Sequence, residues 1–187
     1  MKRNEIENDF EIKECQWYSL KKLFIENHYL NRMPAGILAC YGIFEKDKMQ
    51  MPKGGAIFCN GRIQYDKKYI EFSRLWISDD LGKNIESYFI GKCIKLLQSK
   101  YKDYKGIVTW ADCNKNHNGT VYMASNFTFD GMSRNVKKYL GKDNRVIFQR
   151  TATKEDKLIS EDLPKKRFIY YFDKKIREQK RINFPLE

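Results

Sequence analysis

Three strand-length apolar runs stand close together ahead of one long amphipathic helix, and this order restricts the fold more than any other feature of the chain. The runs are residues 36–44 (GILACYGIF), 55–60 (GAIFCN) and 69–77 (YIEFSRLWI). The turn-rich KDKMQMPKGG joins the first two, and the second ends at Asn60-Gly61. The helix is predicted to begin at Asn84 as its N-cap and to align Ile85, Phe89, Cys93 and Leu96 in one stripe. Ahead of the runs, residues 14–27 place Trp17, Leu20 and Phe24 at helical spacing. After the helix come a buried strand at 106–111, ending at Asp112, and a shorter helix over about 118–126. Strand-like runs return at 145–149 and 167–172, with a charged helical or irregular link between them. This succession is not the repeating βαβ of a doubly wound sheet. It predicts an α+β fold with a mixed, mostly antiparallel central sheet and helices on both faces.

The length suits one domain, 1–187, with a basic C-terminal segment at 165–187. Lys and Arg total 36 against 24 for Asp and Glu, a net charge of +12 that attracts polyanions such as nucleic acid. No stretch approaches the ~20 apolar residues needed to span a bilayer. The polar N-terminus MKRNEIENDFEIKEC is unlike a secretory signal. Five cysteines, odd in number and without CxxC spacing, argue for reduced thiols in a cytoplasmic setting rather than disulfides or a zinc site. Cys40, Cys59 and Cys93 sit among apolar residues and read as small core side chains.

Three constellations carry possible chemistry. In Glu71-Phe72-Ser73-Arg74-Leu75-Trp76, simple alternation puts Phe72 and Arg74 on one face. An arginine inside an apolar strand is costly to bury unless it meets a carboxylate or an anionic ligand, and Asp112 is the natural partner if the strands adjoin. The turn Asp79-Asp80-Leu81-Gly82-Lys83-Asn84 leads to the helix start, where amides beside Gly82, Lys83 and Asn84, with the Ser87 hydroxyl, could hold a phosphate. Helix capping by Asn84 explains the same letters. The run from Asp112 to Tyr122 gathers Asp112, Cys113, His117 and Tyr122 for proton transfer. His28, His117 and Asp112 could converge on a metal, but no ligand spacing requires one. Cys113 stands in no recognisable hydrolase signature.

Together these pieces resemble the Mom family of phage DNA-modification proteins. The matching run begins with His28-Tyr29-Leu30, Arg32-Met33-Pro34 and Tyr41-Gly42-Ile43-Phe44. It continues through Ser73-Arg74-Leu75-Trp76-Ile77, Glu86-Ser87 and Trp110-Ala111-Asp112, and closes with His117, Gly119-Thr120, Tyr122, Asn126-Phe127 and Asp130-Gly131. The resemblance implies a GNAT-like acyltransferase fold, an acetyl-CoA-type donor and adenine in DNA as acceptor. It further implies a small acyl or carbamoyl-type group on the exocyclic amine, shielding phage DNA from host restriction. It assigns Arg74, Asp112 and Tyr122 to the chemistry, with Ser87 a softer match, and the helix-entry turn would set Gly82, Lys83, Asn84 and Ser87 against the coenzyme's phosphates. His28 and His117 would then stand beside the DNA base. The R/Q-x-x-G-x-G/A loop usual in GNAT enzymes is missing from the helix start.

An adenine amine buried in double-stranded DNA is hard to reach, which favours flipping the base into a pocket. The tail offers Lys174, Lys175, Arg177 and Lys180 for phosphate contacts, with Phe168, Tyr170, Tyr171 and Phe172 close by. Two rival readings share these features. One is a GNAT N-acetyltransferase acting on tRNA or protein amines; the other is a non-catalytic DNA-binding, anti-restriction protein on a degenerate fold.

Overall fold

The computed structural model describes residues 3–46, 51–61, 68–141, 143–148 and 151–182. The chain opens with helix α1 (Arg3–Asp9), strand β1 (Phe10–Glu14) and helix α2 (Trp17–Asn27). The three apolar runs become β2 (Ile37–Glu45), β3 (Gly54–Cys59) and β4 (Tyr69–Ile77). Helix α3 (Ile85–Lys100), β5 (Gly106–Ala111) and the short helix α4 (Thr120–Ala124) follow. Next come β6 (Thr128–Met132), β7 (Val136–Leu140), β8 (Val146–Phe148), β9 (Lys157–Asp162), β10 (Lys166–Tyr171) and α5 (Lys174–Ile182).

Seven strands form one sheet in the order β1-β2-β3-β4-β5-β10-β6. Every neighbouring pair is antiparallel except β4 and β5, which run parallel. Helices cover both faces. On one, Leu20, Leu23 and Phe24 of α2 pack against Cys40, Ile57 and Cys59. On the other, Phe89, Ile90, Cys93, Ile94 and Leu97 of α3 pack against Tyr41, Phe58, Ile70 and Phe72. Central strands covered twice need apolar side chains at successive positions, which is why β2 and β3 show no polar alternation. Each fully buried Leu or Phe contributes about 1.5–3 kcal/mol. Cys40, Cys59 and Cys93 are core residues, as expected.

The expected α+β architecture stands, with local corrections. Leu96 lies on the exposed side of α3 and Leu97 takes its place in the stripe, because the turn advances 100° per residue. The second helix is confined to 120–124. The link between the last two predicted strands contains β9, and β7 and β6 precede them; their charged, weakly apolar letters do not announce strands. KDKMQMPKGG falls partly outside the described residues. Strands β8, β7 and β9 form a separate three-stranded antiparallel sheet, in that order, between β6 and β10. No helix among the described residues is long and apolar enough to cross a membrane.

Candidate active site

The parallel strands β4 and β5 pair only from Tyr69↔Gly106 to Glu71↔Val108. One residue further the Thr109 hydroxyl still donates to the Phe72 carbonyl at 3.0 Å, and the strands then part. A cleft of about 440 Å³ opens there. Phe72, Leu75 and Trp76 of β4, Trp110 of β5 and Tyr122 of α4 line it, with His28, Tyr29 and His117 around it.

A β-bulge sets the side-chain directions on β4. Phe58 pairs with Phe72 while its neighbour Ile57 pairs with Arg74, leaving Ser73 as the extra residue. Cross-strand partners share a face. Phe72 therefore faces α3 with Phe58, and Arg74 faces α2 with Ile57, against the expectation that Phe72 and Arg74 share one side. Arg74 Nη1 donates to the Ser73 carbonyl at 2.7 Å and to Ser73 Oγ at 3.1 Å. Its Nε is buried without a hydrogen-bond partner. An orphaned donor of this kind costs about 1–3 kcal/mol, and a ligand atom could relieve that cost.

The expected Arg74–Asp112 ion pair is absent. Asp112 turns instead to Lys165, whose Nζ lies 2.7 Å from Oδ2. Its Oδ1 accepts from the backbone and side-chain nitrogens of Asn114, at 3.1 and 3.0 Å. Asp112 caps the 3₁₀ turn Cys113–Lys115, and this cap together with the Lys165 pair accounts for both oxygens. Burial opposes its ionisation, but the hydrogen bonds from Lys165 and Asn114 outweigh burial and hold the carboxyl below its usual range. So held, Asp112 is a weak base.

His28 is buried, and its Nδ1 accepts from the Leu30 N–H at 3.2 Å. That bond assigns the neutral ring its proton at Nε2. Burial, then the charges of Arg74 and His117, push its pKa down to about 4. Its ring stacks on Tyr29 at 4.5 Å, and Tyr29 meets exposed His117 edge-on at 5.4 Å. Burial raises the Tyr29 phenol to about 12, with the Asp112 and Tyr122 charges adding to it. Tyr122 packs among Phe72, Phe127 and Phe168, and its hydroxyl bonds the Thr109 hydroxyl. Burial raises its pKa, so it stays protonated at neutral pH. The site thus combines an aromatic slot with a proton donor, while the buried guanidinium of Arg74 lies close enough to His28 and Tyr29 to act on them electrostatically without lining the cleft.

The helix start departs from expectation. Asn84 adopts a left-handed conformation (φ 68°) and its side chain makes no capping bond. Asn tolerates that region better than other side chains, so it serves as a turn residue rather than a cap. The Ser87 hydroxyl donates to its carbonyl at 3.1 Å. Asn84 and Ser87 line a second groove of about 660 Å³, which follows α3 past Gly91 and Gln98 and reaches Ser125, Asn126 and Tyr170. Gly82 and Lys83 are exposed beside it. Asp79 and Glu86 line the first cleft, and burial together with Asp79 raises the Glu86 carboxyl.

The basic tail does not converge on the cleft. Strand β10 runs antiparallel to β5, with Lys166 opposite Ala111 and Tyr171 opposite Gly106. Helix α5 therefore leaves at the end of β5 remote from Asp112, about 17 Å along the strand. Lys174, Lys175 and Lys180 are exposed there. Arg177 is structural: it donates to the Tyr171 carbonyl at 2.8 Å and stacks 4.5 Å over the Tyr170 ring. The sequence reading missed Tyr29, Trp76 and Trp110 as cleft walls and Lys165 as the partner of Asp112. All three aromatics stood in the quoted motifs, His28-Tyr29, Leu75-Trp76 and Trp110-Ala111-Asp112, without a role, and nothing in spacing tied Lys165 to Asp112.

This fold is shared with solved acetyltransferases. An N-acetyltransferase from Staphylococcus aureus superposes with a TM-score of 0.53 at 14% identity, over 87% of this chain and 97% of its own. A variant of the spermidine N-acetyltransferase SpeG from Vibrio cholerae gives 0.58 at 9% identity, over 92% and 99%. The yncA protein from Salmonella typhimurium, solved with its cofactor acetyl-CoA, gives 0.56 at 12%, over 89% and 96%. In sequence, the methylcarbamoylase mom of Escherichia phage Mu is 35% identical over 66 residues, which span 35% of this chain and 27% of that protein. The model of the Mom protein family matches residues 9–186, a range that takes in the parted strands, the aromatic cleft and the small sheet beside it, and the chain belongs to that family.

Proposed function

We propose that the chain transfers an acyl or carbamoyl-type group from a coenzyme A thioester to the exocyclic amine of adenine in double-stranded DNA. The observation that carries this reading is the aromatic cleft between the parted strands, with the protonated Tyr122 on its wall. Tyr29, Trp76 and Trp110 offer flat surfaces for a flipped base, and stacking is worth about 1–3 kcal/mol per base. Family membership and the methylcarbamoylase relative point to the same chemistry.

The groove along α3 fits an extended coenzyme. A Cβ built on Gly91 would meet nothing within 4 Å, so the groove is open there, and Asn84 and Ser87 offer polar contacts toward its start. When bound, the coenzyme supplies an activated carbonyl carbon whose bond to sulfur breaks as the bond to the adenine nitrogen forms. Tyr122 gives its proton to the departing sulfur, and exposed His117 takes the proton that the amine loses. His28 offers its Nε2–H to an acceptor on the base, and Arg74 Nε offers a second donor nearby. Asp112 acts by position, holding the loop that carries His117. Since an exocyclic amine is a poor nucleophile, orientation between the aromatic walls supplies much of the acceleration. We assign to the modification the shielding of DNA from restriction enzymes.

Thermal unfolding with acetyl-CoA tests the coenzyme assignment. A ligand at 100 times its Kd stabilises the folded state by about 2.7 kcal/mol, so the wild type should melt several degrees higher. Gly91→Phe, which fills the groove, should fold and lose that shift. No shift in the wild type would contradict the assignment.

A further inference from the structure

The three-stranded sheet at residues 133–165 rises beside the cleft rather than elsewhere on the molecule. Lys166 pairs with both Ala111 of β5 and Met132 of β6, so the insertion leaves and rejoins the main sheet at the end where Asp112 lies. Its foot is bolted to the loop after β5. Lys165 pairs with Asp112, and the Leu163 N–H donates to Asn114 Oδ1 at 2.9 Å. The Ser133 N–H donates to the Lys165 carbonyl at 2.8 Å, closing the base of the insertion.

Above this foot the insertion is poorly suited to being covered by its own chain. Strand β9 is exposed from Lys157 through Glu161, on both of its faces. Val136, Val146, Leu158 and Ile159 are exposed as well. Its charge is lopsided. Residues 133–154 contain seven lysines and arginines against one carboxylate, Asp143, and the whole insertion, 133–165, keeps a net +4 although Lys137, Lys138 and Arg145 pair with Glu161, Asp162 and Asp143. Helix α5, the other basic segment, sits at the far end of β5.

We infer that this sheet is the element by which the protein docks on double-stranded DNA, its β7–β8 hairpin lying against the duplex while the target base enters the cleft. The inference rests on the reading of DNA as acceptor. Charge complementarity selects the occupant: a polyanion matches a segment, residues 133–154, with one carboxylate among seven cations. Size agrees, since the major groove admits a two-stranded ribbon. The Lys165–Asp112 pair and the Asn114–Leu163 bond hold the docking element in fixed relation to the cleft, so binding and base placement use one rigid unit.

The test is fluorescence anisotropy of a labelled duplex titrated over a series of salt concentrations. It compares wild type with a variant carrying Arg134→Gln, Arg145→Gln, Lys154→Gln and Lys157→Gln, all at exposed positions. A second variant exchanges Arg for Lys and Lys for Arg at the same four sites. Loss of up to four phosphate contacts should lower the slope of log K against log salt by about 3 and weaken binding about tenfold or more at low salt. The charge-keeping variant should retain both. An unchanged acetyl-CoA melting shift shows that the neutral variant is folded. If wild type binds and the neutral variant binds equally well with the same slope, the docking assignment is overturned and the acceptor reading stands. If wild type does not bind duplex at all, both fall. If the neutral substitutions change self-association by sedimentation and leave DNA binding intact, the patch serves a second copy of the chain and the inference is overturned.

Discussion

Asp112 Oδ2 and Lys165 Nζ stand 2.7 Å apart, joining the end of β5 to the foot of the small sheet. The carboxylate is nearly enclosed while the lysine keeps about a third of its exposure. Lys165→Met would leave a buried carboxylate with Asn114 alone, at a cost of about 1–3 kcal/mol in urea unfolding at pH 7. The Asp112 carboxyl is held below the ordinary 3.8, so this contribution is present above pH 3.8 and disappears as pH falls through the lower folded value. The gap between wild type and variant should therefore close in strong acid. A gap that does not narrow at all as pH falls below 3.8 would contradict the assignment.

His28 loses its contribution in the same direction, over a higher pH window. Its folded pKa is about 4 against 6.5 for the free side chain, so the unfolded chain takes up a proton first as pH falls. Stability from the neutral ring is complete above pH 6.5 and is lost between 6.5 and 4, by about 3 kcal/mol. His28→Gln should flatten the stability profile across that window in chemical unfolding followed by circular dichroism. An unaltered profile would show that the ring is not held neutral.

Tyr122→Phe removes a hydroxyl and keeps the ring that packs on Phe72, Phe127 and Phe168. Turnover should fall about 10²-fold with KM for DNA within about twofold, since the loss is of proton transfer and not of binding. Stability should drop by only about 1 kcal/mol for the bond to Thr109. Steady-state kinetics separates this from a packing role, in which Phe would retain full turnover.

Backbone geometry gives a paired prediction. Gly119, which precedes α4, has φ 83°, and an added Cβ would come within 2.2 Å of the Phe168 ring. Gly119→Ala should destabilise by about 2–4 kcal/mol and displace Tyr122. Asn84→Gly, at φ 68°, should be within about 0.5 kcal/mol of wild type, because the Asn side chain makes no capping bond. A true cap would cost about 1 kcal/mol to remove, so thermal unfolding decides between turn and cap.

What could be read from the chain follows a physical division. The runs at 36–44, 55–60 and 69–77 were legible because strands covered by α2 and α3 must be apolar at successive positions. Strands β7 and β9 were not, because a sheet open to solvent keeps Lys, Ser and Glu on its surface and shows no hydrophobic pattern. Within the site, Tyr122 and His28 were named and do line the cleft. The pairing of Arg74 was misjudged because one extra residue at Ser73 reverses the face of everything after it, and alternation cannot reveal a bulge. Lys165 was invisible as a partner of Asp112 because the contact is created by the return of β10 beside β5.

Nucleoside mass spectrometry of plasmid DNA from bacteria expressing the protein, beside an Arg74→Ala control, tests the central claim most directly. A new adenosine-derived species, heavier by the transferred group, should appear and should be missing from the control. An unchanged nucleoside profile from folded, expressed protein would contradict it.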